Sequence, residues 1–500
     1  MNKFEKDPQE EEPFLQACID YMKSSPTPFD VPGHKLGGIK TDLVYFAGEN
    51  IFDSDFNAPI GLDNLYHPQG VIKKAEALAA QAFNADECLF SVNGSTGGII
   101  TLLCAVLDPK DKIILPRNVH KSAINGLIVS GAYPIFISPD LDEETGIANG
   151  VDVEEYVKAM DENPDVKALF VINPTYFGIV SDLKSIVKEA HKRGVVVICD
   201  EAHGAHFHFS KNEPCSAMDA GADLSILSIH KTGGSLTQSS MILGKGDLID
   251  WHRVTRVFSM FSSTSPNHLL LASLDAARKF LYFQGEEYID RSIRYAEEAR
   301  KEISKIPGLS CIDDSFCSTP GRYGRDKSKL VINVSGLGKT GFEIYREIRE
   351  KFNIQLELGE AKEVMALFGI GTLEKDKDIL IKAFKELSKE YYQNNEEYII
   401  PNFEYHYPKL LVRPREAFYA PYKVVKLEDA VGEICAESIM VYPPGIPVLI
   451  PGELISSSVI DILSFYEDDG GVLLSDSKDG YIKVVDKDKW YKAADLYSQD

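Results

Sequence analysis

The chain has no unbroken apolar run approaching the roughly 18 residues of a membrane-crossing helix, so no membrane span is expected. It has no excess of positive charge either. Its 53 Lys and Arg are outnumbered by 76 Asp and Glu, a net charge of −23. That balance repels nucleic acid and anionic lipid and favours solubility, so neither is expected as a partner. The cysteines Cys18, Cys88, Cys104, Cys199, Cys215, Cys311, Cys317 and Cys435 form no CxxC pair. Several lie in apolar stretches such as VVVICD and read as reduced core thiols of a cytoplasmic protein, not as a disulfide framework or zinc site. The polar, acidic start MNKFEKDPQEEEPF lacks an apolar h-region, so no signal peptide is expected from it. Internal repeats are absent, and VNGSTGG at 92–98 fits neither the GxGxxG nor the Walker Gly-Lys-Ser/Thr phosphate pattern.

What remains is a globular chain, 44% hydrophobic and 26% charged, with 500 residues, too many for one ordinary core. Residues 1–60, with one short helical pattern and the turn-rich SSPTPFDVPGHKLGG, read as an arm. Residues 61–285 alternate strand-like runs (ECLFSV, KIILP, YPIFIS, ALFVIN, VVVICDE, LSILS) with helical ones such as IKKAEALAAQAF and LKSIVKEAHKRG. Continuous apolar strands separated by helices predict an α/β domain whose mostly parallel sheet is covered on both faces. Residues 286–400 predict a small α+β domain, beginning with the charged helix IDRSIRYAEEARKEISKI. After a linker at NNEEYIIPNFEYHYPK, residues 401–500 predict a third unit of short strands and prolines.

In doubly wound sheets ligands bind at the carboxyl ends of strands, and three polar clusters fall at such ends. VNGSTGG (92–98) joins a strand to an apolar helix, whose first N–H groups and dipole attract anions. Read alone, it is first a helix cap of small residues. ICDEAHGAHF (198–207) gathers Asp200, Glu201, His203 and His206, with His208 just beyond. Such a crowd would suit a metal, but without a matching second ligand set no metal is expected. The third cluster is SIHKTGG, with Lys231 at the end of an apolar run. Desolvation there would favour the neutral amine, a nucleophile toward carbonyls. An anion cradle, an acid for a pyridinium nitrogen and a lysine for an aldehyde are together what pyridoxal 5'-phosphate requires.

The chain resembles the Orn/Lys/Arg decarboxylase family of fold-type-I pyridoxal-phosphate enzymes, and within it the short bacterial branch that includes arginine decarboxylases. The resemblance is carried by VPGHKLGG, GLDNLYHPQG, VNGSTGG, RNVHKS, NPTYFG, CDEAHGAHF, SIHKTGGSLTQSS, SSTSP, RPREAF and YPPGIPVLIPGE, spanning residues 29–453. It implies a mostly parallel seven-stranded sheet in the large domain, with a small α+β domain and a C-terminal α+β domain. By the same resemblance Lys231 would hold the cofactor's aldehyde, Asp200 would pair with the pyridine nitrogen, and His120 would stack on the ring. Gly94, Ser95 and Thr96, with Ser228 and His230, would hold the phosphate. Thr264 would reach the phosphate of a partner subunit, making a homodimer the minimal unit. The larger inducible enzymes carry a tryptophan where this chain has His203, which would contact the cofactor's phenolic oxygen instead. They also carry an amino-terminal wing domain that this chain lacks, so their decamer is not expected.

The implied reaction is decarboxylation of a basic amino acid, with arginine giving agmatine for polyamine and spermidine biosynthesis in the cytoplasm. Lysine or ornithine is the alternative substrate. A non-catalytic cofactor-binding paralogue is the alternative of another class, and the presence of both Lys231 and Asp200 speaks against it. A buried substrate cation needs a carboxylate partner, and the family resemblance points to Glu453 in PGE.

Overall fold

The computed structural model describes residues 7–39, 41–392, 398, 407–442, 445–468 and 470–490. The linker expected at 394–409 falls largely outside the described residues. The chain divides into two compact units, Met1–Val106 with Leu183–Arg291, and Leu107–Asp182 with Ser292–Asp500.

The large sheet has seven strands: β1 Glu87–Ser91, β2 Lys112–Pro116, β3 Tyr133–Ile137, β4 Ala168–Ile172, β5 Val196–Asp200, β6 Leu224–Leu227 and β7 Ser240–Gly244. The fold class is α/β, as expected. Within the first unit the order is β1-β7-β6-β5. β5 and β6 run parallel, while β7 is antiparallel to both β6 and β1. Every residue of β6 and β7 is buried, which explains why β6 reads as a continuous run rather than an alternating one. β7 is the strand missing from the sequence reading. Its SMILG core is brief and flanked by serines and glycine, too short a signal to separate from a loop.

The helix Gly94–Val106 covers this half of the sheet. It is apolar on nearly all sides, with Ile99, Leu102 and Leu103 buried. Gly98 permits its close approach, because a Cβ there would come within 2.3 Å of Ile226 Cδ1 on β6. The helix Val71–Ala82 buries Ile72, Ala75, Glu76, Ala79 and Ala80, an i, i+3, i+4, i+7 stripe. The lead-in segment is stapled to the helix His268–Ile303. Asp275 Oδ2 accepts from Phe14 N at 2.9 Å, and Arg278 donates to the carbonyls of Gln9 and Glu11.

In the second unit β2 lies between β4 and β3, parallel to both. A four-stranded antiparallel sheet follows, built from Ser310–Cys311, Lys329–Asn333, Leu358–Gly359 and Glu363–Leu367. Helices Gly341–Phe352 and Glu374–Tyr391 share a core with it through Ile332, Ile344, Ile348, Phe384 and Leu387. Beyond residue 407, strands Ile439–Tyr442, Ile446–Leu449 and Val472–Leu474 form a small sheet. It packs with Tyr422–Lys426 and Tyr481–Val485 around Leu449, Leu463, Ile482 and Val484. Among the described residues no helix is long and apolar enough to cross a membrane.

Glu76 is 1% exposed and accepts Phe90 N at 3.0 Å, and burial raises its carboxyl from 4.5 to about 8. The folded state thus prefers the protonated acid. Its contribution is complete below pH ~4.5 and is lost as pH rises toward ~8. Glu76→Gln should therefore gain on the wild type in melting temperature across that window, with the difference levelling off above pH ~8. Thermal melts at a series of pH values test this; a pH-independent difference would refute it.

Candidate active site

Three strand ends meet in the first unit. β1 ends at Ser91, and the chain turns through Val92 and Asn93 into the helix at Gly94, whose φ of +66° suits glycine. The turn is pinned on both sides. Gln238 Nε2 donates to Val92 O at 2.6 Å, Gly94 N donates to Gln238 O at 2.9 Å, and Asn93 Nδ2 donates to Phe261 O at 2.6 Å. Ser95 therefore sits in the first helical turn, its Oγ 2.7 Å from Ser228 Oγ at the end of β6. Two motifs separated by 133 residues are joined there at the positive end of a 13-residue helix. Thr96 is exposed beside them, and Thr264 is exposed in the loop before His268.

β5 ends on Asp200, which is buried with Oδ1 accepting Ala202 N at 3.2 Å. Burial raises its pKa, while the charge of Lys231 acts in the opposite direction. Lys231 lies on the one-turn helix Ile229–Thr232 that follows β6 through Ser228. Its Nζ is 3.0 Å from His203 Nε2, and His203 is buried. The expectation of a lysine desolvated by its strand is corrected here. Ile229 and Thr232 are buried, but Lys231 is exposed, because one helical turn beyond the strand carries the side chain off the covered face.

His230 Nδ1 is 2.8 Å from Ser239 O, and a carbonyl only accepts, so Nδ1 carries the proton. Burial lowers the pKa of this ring, and the charge of Lys231 lowers it further. This bond anchors His230 in the lysine turn and leaves Nε2 as the ring atom available to a ligand.

The acid–histidine crowd disperses. Glu201 accepts Ala217 N at 2.8 Å and Ser225 Oγ at 3.0 Å, and burial raises its pKa to about 8. His208 Nδ1 lies 2.7 Å from Asp219 Oδ2, and His206 Nε2 lies 3.7 Å from Glu213.

In the second unit His120 follows β2 and caps the helix Lys121–Ser130, its Nδ1 accepting Ser122 N at 3.2 Å. The residue is exposed. Three residues earlier stands Arg117, which the sequence reading passed over. Its Nε donates to Glu453 Oε1 and its Nη2 to Glu453 Oε2, both at 2.8 Å. The side chains are 1% and 0% exposed. Ile450 N also donates to Oε2 at 2.9 Å. The expectation that Glu453 meets a substrate cation is corrected accordingly: this carboxylate is already neutralised by a bidentate guanidinium inside the unit. Its partner lies 336 residues away, so no local pattern could reveal it.

The first-unit residues fit a phosphorylated cofactor. Ser95, Ser228 and a helix N-terminus suit the phosphate, the buried Asp200 suits a cationic N–H, and Lys231 with His203 suits an aldehyde. Family models support this chemistry. The model for the Orn/Lys/Arg decarboxylase major domain matches residues 12–320, and that for the Orn/Lys/Arg decarboxylase C-terminal domain matches residues 402–470. The chain belongs to the Orn/Lys/Arg decarboxylase family.

Relatives of this decarboxylase family include an arginine decarboxylase from Halalkalibacterium halodurans, 44% identical over 90% of this chain and 92% of its own. Another, an arginine decarboxylase from Bacillus subtilis, is 41% identical over 97% of this chain and 99% of its own. Among solved structures, the lysine decarboxylase of Francisella novicida aligns with a TM-score of 0.82 at 23% identity. It covers 95% of this chain and 81% of that one, which shows the shared fold. Pyridoxal 5'-phosphate is the cofactor that membership of the family implies.

Replacing Asp200 by Asn should weaken cofactor binding by about 10- to 100-fold, the loss of a charged hydrogen bond worth about 1.5–3 kcal/mol. Equilibrium titration of the apo-protein with pyridoxal phosphate measures this, and unchanged affinity would refute the assignment.

Proposed function

We propose that this chain decarboxylates L-arginine to agmatine and carbon dioxide, using pyridoxal 5'-phosphate. The reading is carried by the meeting of Lys231, His203 and Asp200 at adjacent strand ends in a chain of this family. The choice of arginine is supported by the names of the full-length relatives. Lysine or ornithine is the alternative within the same chemistry.

When bound, the cofactor supplies an electron-accepting ring for the pair released as the Cα–carboxylate bond breaks. The chain supplies the rest. Asp200 in its ionised form would hold a proton at the ring nitrogen, a contact that also relieves the cost of burying that carboxylate. Ser95 and Ser228, with the N–H groups of the first turn, would bind the phosphate, and Gly94 sets the angle of that turn. Lys231 would be the nucleophile. His203 Nε2, 3.0 Å from Nζ, is placed to take or return its proton. The same pair would deliver the proton to Cα. His120 would lie against the ring. Thr264, exposed on its loop, would serve the phosphate site of a second copy, so the working unit is a homodimer. We place the reaction in the cytoplasm, in polyamine and spermidine biosynthesis.

Lys231→Ala should lower decarboxylation at least about a thousandfold, the scale on which loss of a covalent nucleophile acts. Product analysis with arginine, lysine and ornithine side by side decides the substrate. Agmatine should predominate, with kcat/KM for arginine at least about tenfold above the others, a difference of about 1.4 kcal/mol in transition-state binding. Equal turnover of all three, or of none, would overturn the arginine reading.

A further inference from the structure

A buried ion pair contributes little net stability, because removing both charges from water offsets their attraction; its best-attested use is to fix register. Arg117 and Glu453 form such a pair, and the surrounding contacts show which segment they fix. The guanidinium also donates to Pro447 O at 2.7 Å and Val448 O at 3.2 Å. Phe136 and Tyr407 flank it, with ring centroids 5.7 and 5.6 Å from Cζ. Next along the chain, Asn118 Nδ2 donates to Asn149 O at 3.1 Å. Val119 is fully buried. Lys121 N donates to Gly445 O at 3.2 Å. Residues 117–121 are thus fastened at both ends to the segment 445–453, and the exposed residue held between them is His120.

We infer that Glu453 is a positioning residue which, through Arg117, sets the place of His120 for the proposed reaction. The segment 445–453 is a template: it holds the 117–121 loop in one conformation, and the helix cap from Ser122 N orients the imidazole within it. Glu453 therefore acts on the cofactor ring through the loop and touches neither substrate nor cofactor. This rests on the proposed role of His120. It also accounts for a fully buried arginine following directly on a strand whose other residues are almost all apolar.

A double-mutant cycle on the holoenzyme tests it, read by steady-state kinetics and by visible circular dichroism of the bound cofactor. Glu453→Gln should lower kcat by about 10- to 100-fold, the scale of an ångström-level misplacement. KM for arginine should change by less than about twofold, as for an interaction that substrate binding does not use. On a His120→Ala background the same substitution should cost less than about twofold, since both changes remove one function. The dichroism of the two single variants and of the double variant should coincide. Multiplying effects, or a loss confined to KM for arginine, would overturn the inference, the second outcome restoring a direct substrate contact. If Glu453→Gln does not fold, Arg117→Met with Glu453→Met removes the pair without stranding a charge. That protein should fold and show the same altered dichroism; an unaltered signal would overturn the inference. A wild type that binds cofactor but decarboxylates no basic amino acid would defeat the proposed function alone, because the dichroism arm would still report on His120.

Discussion

The parallel pairing of β5 and β6 is the constraint from which the first-unit site follows. Parallel neighbours end at the same edge of a sheet, so Asp200 at the end of one and the Ser228–Lys231 turn at the end of the other share that edge. The Coulombic influence of Lys231 on Asp200 and the 3.0 Å approach of His203 to Nζ depend on this pairing. β7 then returns antiparallel, which places Ser239 beneath His230 and Gln238 against the Val92–Gly94 turn. One strand order thus brings Lys231, Asp200 and the Ser95–Ser228 contact to one edge of the sheet.

Asp200 and Glu201 show how one strand end gives neighbouring carboxylates different fates. Successive side chains point to opposite faces. Glu201 turns into the unit and satisfies Ala217 N and Ser225 Oγ, and burial holds it protonated to about pH 8. Asp200 faces a lysine, whose charge works against that burial. Glu201 is satisfied within the fold, whereas Asp200 is the acid proposed to meet the cofactor, although both look alike in the string CDEAHGAHF.

Much of this was legible in the sequence because the signals were local. ECLFSV, VVVICDE and LSILS could be read as strands from their apolar runs, and VNGSTGG could be placed at a helix start. The strand SMILG escaped because its apolar core is very short. The exposure of Lys231 escaped because a single helical turn after the strand reverses which face a residue shows. Glu453 was read as a substrate ligand because its partner lies 336 residues earlier, in a motif noticed only for its histidine. Periodicity reports what a residue does to its own element. It carries no trace of long-range pairing between charges.

The Arg117–Glu453 pair also bears on how such a chain can change over generations. Neither residue can be altered alone without leaving its partner as an uncompensated charge in dry protein, at a cost of about 3–5 kcal/mol. The two positions can drift only jointly, and a lineage that acquired a foreign carboxyl-terminal segment would need one bringing its own glutamate. A single ion pair thereby ties the inheritance of the last hundred residues to that of the sheet.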